Sequence, residues 1–125
     1  MHADSAITGR NGGHFIPALF PGFVDYASIH GKEEAVRSAA LEDHTINSMV
    51  ELIRDTGKAK EVDLVNGGHV AYFLTEAQKN DALADYTAAK KAGVEMYDTR
   101  FLTKEEAYET YGAAYPAVQI GRAHV

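Results

Sequence analysis

Thr8-Gly9-Arg10-Asn11-Gly12-Gly13-His14 is the stretch of this chain whose residue types and spacing could do chemistry. Its glycines free the backbone to take positive φ and to approach a ligand closely. Successive amide N–H groups in such a loop can form a concave nest that holds an anion. Arg10 adds a permanent charge with a planar fork of donors matched to phosphate. The run therefore reads as a phosphate- or cofactor-contacting loop. A Gly/Asn-rich turn with a solvated arginine has the same composition, because Asn-Gly is a common turn pair. Asn11 offers both a donor and an acceptor, and serves equally as a turn residue in left-handed backbone.

The other chemistry-bearing residues do not form a second constellation. His2, His30, His44 and His69 lack any His-x-x-x-His or His-Glu-x-x-His spacing, so no metal site is expected. No Gly-x-Ser-x-Gly elbow, P-loop or Ser-His-Asp order is present, which leaves hydrolase and kinase readings without support. The pairs Glu33-Glu34 and Glu105-Glu106 fall where first helical turns are expected, and there the helix dipole accounts for them. Tyr72, Tyr86, Tyr97, Tyr108, Tyr111 and Tyr115 read as core and rim aromatics. No catalytic residue is assigned.

The segment Ser5-Ala6-Ile7-Thr8-Gly9-Arg10-Asn11-Gly12-Gly13 resembles a flavin-contacting loop of the D-amino-acid oxidase-like family of FAD-dependent oxidoreductases. The resemblance continues at lower specificity to about Gln119. It implies a flavoprotein spanning FAD and substrate domains, with FAD as cofactor and Thr8, Gly9, Arg10, Asn11, Gly12, Gly13 and His14 against it. It further implies oxidation of a small amine or amino-acid substrate by hydride transfer to the flavin. His14 could then face the flavin, join a proton-transfer path or carry a covalent flavin linkage; an ordinary partly buried histidine is the alternative.

The family also opens with a strand and Gly-x-Gly-x-x-Gly, whose helix N-terminus receives the pyrophosphate. Residues 1–8 are too short for that unit, and Gly9, Gly12 and Gly13 give a different spacing. Asp4 is not taken as the ribose ligand. Residues 1–119 are thus expected to be an internal fragment, a partial oxidoreductase domain that is inactive alone. Ile120-Gly121-Arg122-Ala123-His124-Val125 departs from the family pattern and matches the translation of a common sequencing adapter, so 120–125 is expected to be a non-native tail. The competing reading is a small freestanding α+β module that binds phosphate or another ligand without catalysis, or an interaction domain with no ligand.

Composition sets outer bounds. A chain of 125 residues suffices for one domain with a modest core. A formal charge of −6, with both signs interspersed, argues against nucleic acid and against an anionic membrane surface. Without cysteine there is no disulfide, thiol catalysis or Cys-based metal site, which fits a reducing, cytoplasmic setting. No apolar run approaches the roughly 20 residues of a membrane-spanning helix.

The elements that must position the loop follow it. Phe15–Tyr26, with Pro17, Pro21 and Gly22, reads as an irregular apolar segment. Lys32–Arg54 carries Val36, Ala39, Ala40, Ile46, Met49, Val50 and Ile53 at helical spacing. Val62–Val65 and His69–Leu74 around Asn66-Gly67-Gly68 predict a β-hairpin. Thr75 as N-cap with Gln78 completing a capping box predicts a helix to about Ala92, stopped by Gly93. Val94–Tyr97 reads as a short strand, and Thr103 with Glu106 caps a last helix ending near Gly112. The expected class is α+β: long helix, β-hairpin, helix, strand, helix.

Overall fold

The computed structural model describes residues 10, 15, 20–65, 67–96 and 99–121. Its elements run α1 (Phe23–His30), α2 (Lys32–Asp55), β1 (His69–Tyr72), α3 (Glu76–Ala92), β2 (Thr99–Leu102), α4 (Lys104–Tyr111) and β3 (Ala117–Ile120). The three strands form one sheet in the order β1-β3-β2, antiparallel throughout. His69, Ile120 and Thr99 share one row, and Tyr72, Ala117 and Leu102 another. The α+β class is therefore as the sequence indicates.

Strand alternation gives the sheet two differently covered faces. Val118 and Ile120 share an apolar cluster with Phe20, Phe23, Ala35, Ala39, Phe73, Ala89 and Val94, which brings α1, α2 and α3 to one side. Ala117 and Leu102 meet Ala107 of α4 on the other. Alanine recurs at the closest approaches, with Ala89 and Ala107 both fully buried. A short side chain at these points lets helix backbones come near their neighbours without opening a void.

The helix boundaries follow from local chemistry. Thr75 Oγ1 accepts from the Gln78 backbone N–H at 3.1 Å, while the Gln78 side chain accepts from Leu74 N–H at 2.8 Å. At α4 the full capping box is present, with Thr103 Oγ1 accepting from Glu106 N–H at 3.2 Å. Gly93 and Gly112 close α3 and α4 in left-handed backbone. In α2 only Ala35 and Ala39 are buried. Val36, Ile46, Val50 and Ile53 of the expected stripe are half-buried, and Ala40 and Met49 are exposed.

The predicted hairpin does not form. Val62–Val65 lies in turns that extend the end of α2: Val62 N–H donates to Lys58 O at 3.0 Å, and Leu64 N–H to Ala59 O at 2.8 Å. These local bonds take up amides that a strand would have offered to a distant partner, and β1 pairs with β3 instead. The strand expected over Val94–Tyr97 is also displaced. Val94 is a buried loop residue whose N–H closes onto Ala89 O at 3.0 Å, Tyr97 lies outside the described residues, and the strand begins at Thr99. Phe23–Tyr26, expected to be irregular, opens α1. Ile120, assigned from the sequence to a tail, is the last paired residue of β3, and Gly121 follows it against Gly68.

Candidate functional site

Of the loop singled out in the sequence, Arg10 is described and is exposed. Thr8, Gly9, Asn11, Gly12, Gly13 and His14 lie outside the described residues. Phe15, just beyond the loop, is 43% exposed. Phe20 is buried: it is 1% exposed, and its ring meets Tyr86 edge-on at 5.4 Å and Phe101 at 6.3 Å. The glycine-rich segment is thus followed by an aromatic anchor held jointly by α3 and β2.

A dinucleotide pyrophosphate needs free amide donors, most often at a helix N-terminus in a βαβ unit. The described residues do not fit that requirement. Their sheet is wholly antiparallel, and three of their four helix starts are already bonded internally. Thr75 serves α3 and Thr103 with Glu106 serves α4. At α1 the carboxylate of Asp85, reaching from α3, accepts from Gly22 N–H and Val24 N–H, both at 2.9 Å. The start of α2 has no side-chain cap, but Glu33 and Glu34 in its first turn repel an anion.

Asp85 was not singled out from the sequence, because its partners lie 61 and 63 residues away and no local pattern connects them. It ties α3 to α1 and places negative charge where the α1 dipole is positive. Asp85→Ala is expected to destabilise the fold by about 1.5–2 kcal/mol, measured by urea denaturation. The lower part of the range for charged hydrogen bonds applies because the freed amides belong to exposed residues and can hydrate.

The α4 side of the sheet carries the most polar arrangement. Arg100 pairs with Glu106, the Glu106 carboxylate also accepts from Thr103 N–H at 3.4 Å, and Tyr111 O–H donates to Gln119 Oε1 at 2.9 Å. Each residue named here has an internal partner, and the cluster joins β2, α4 and β3. The backbone N–H of Thr103 acts most strongly on the Glu106 carboxyl; burial opposes it, and the Thr103 side chain and Arg100 add to it, so that the carboxyl is held below the ordinary glutamate range. A lowered folded pKa means this contribution is complete above the ordinary value and is lost as pH falls through the lowered one. Thr103→Ala should cost about 1 kcal/mol, and Glu106→Gln should flatten the acid limb of stability against pH, both read by urea titration across pH.

The histidines occupy separate places. His44 is exposed on α2, His30 packs its ring on Tyr26 at 4.6 Å, and His69 begins β1. No group of three or more potential metal ligands occurs among the described residues, and none of their charged or polar residues is buried. No helix among them is long and apolar enough to cross a membrane. Comparison with models of known protein families, with curated proteins and with solved structures finds no match.

Proposed function

We propose that this chain is part of an FAD-dependent oxidoreductase of the D-amino-acid oxidase-like kind, oxidising an amine or amino acid, with Thr8–His14 as a flavin-contacting loop. The run Thr8-Gly9-Arg10-Asn11-Gly12-Gly13-His14 carries this reading. The bound flavin would accept the hydride; the protein's part is binding and orientation. Among the described residues, an antiparallel layer with three of four helix starts occupied supports the corollary that the pyrophosphate is held by a separate strand–Gly-x-Gly-x-x-Gly–helix unit of a longer polypeptide.

Two measurements test the proposal. The 125-residue chain, titrated with FAD, is expected to retain no stoichiometric flavin; a one-to-one yellow complex would overturn the corollary. In a longer polypeptide carrying the dinucleotide unit, Gly12→Val is expected to abolish visible flavin absorbance while the far-ultraviolet circular dichroism is kept. A valine there would hold the backbone away from the cofactor. Unchanged flavin content refutes the loop assignment, and phosphate binding by the isolated chain would favour the small-module alternative.

A further inference from the structure

We draw no further inference here: the strongest candidate, the apolar stripe of Leu41, Met49 and Leu52 along the outer half of α2, together with Val62 and Val65 beyond its end, is an exposed surface patch and nothing in the structure shows what covers it.

Discussion

Gly68→Ala is expected to destabilise the protein by about 3 kcal/mol, while Gly67→Ala beside it changes stability by less than about 0.5 kcal/mol. Gly68 has φ +73°, and a Cβ built there would stand 2.8 Å from the Gly121 carbonyl oxygen and 3.0 Å from that of Ile120. Left-handed backbone costs a side-chain-bearing residue about 1–2 kcal/mol. The clash adds an overpacking cost of about 1–3 kcal/mol, because carbonyls at the end of the β1–β3 ladder cannot rotate away like a flexible side chain. At Gly67 the added atom meets only Val65 Cγ1 at 3.7 Å, an ordinary contact. Gly93 separates the two contributions. Its φ is +97° with open space around it, so Gly93→Ala should show the conformational cost alone. Urea midpoints of the three variants check the order, and equal losses at Gly68 and Gly93 would remove the steric part of the explanation.

Phe20→Ala has the other large expected effect, a loss of about 3–5 kcal/mol. Phe20 belongs to a four-ring cluster in which Phe101 also meets Tyr86 edge-on at 5.3 Å and stacks with Phe73 at 6.3 Å. The rings come from the segment before α1, the residue after β1, α3 and β2. Removing one ring leaves a cavity bounded by four segments that cannot all close over it. Against a typical stability of about 5–15 kcal/mol the loss is a large fraction, and the melting temperature should fall by about 15 °C. Phe15→Ala, at a residue that is 43% exposed, serves as the control and should be nearly silent. Under the proposed function, Phe20→Ala should also weaken flavin retention in the longer polypeptide, since Phe20 is the buried residue that follows the loop in the chain.

The sequence was most legible where the determining contacts are local. Thr75 with Gln78 and Thr103 with Glu106 mark helix starts within four residues; the box closes fully at Thr103, whereas at Thr75 the Gln78 side chain turns to Leu74 N–H instead of the cap residue's own amide. The long helix was equally plain from its period, with α2 ending one residue past the expected Arg54. Strands were less legible, because a run such as Val62–Val65 records β-propensity without recording a partner. Its amides close onto the helix end before it, whereas Ala117–Ile120, passed over as a strand, receives both β1 and β2. Phe23–His30 was hidden by Pro21 and Gly22, which prevent a helix from running through them but precede this one. Asp85 supplies the missing N-terminal acceptor for α1 across the fold. For the candidate site, the residue types in Thr8–His14 suggested the chemistry. The described structure contributes the buried Phe20 beyond them and the internal bonding of three of the four helix starts.

The central place of β3 has a consequence for how the protein is made. β1 and β2 each pair with β3, yet both precede it in the chain. The capped helices can close as they leave the ribosome, but the sheet cannot zip until Ala117–Ile120 has emerged. Until then two short strands wait without a partner, and their open edges and apolar faces are surfaces that chaperones bind and aggregates share. Commitment of this layer to its native form therefore waits on Ala117–Ile120, and translation paused before Ala117 would leave a nascent chain with its sheet absent.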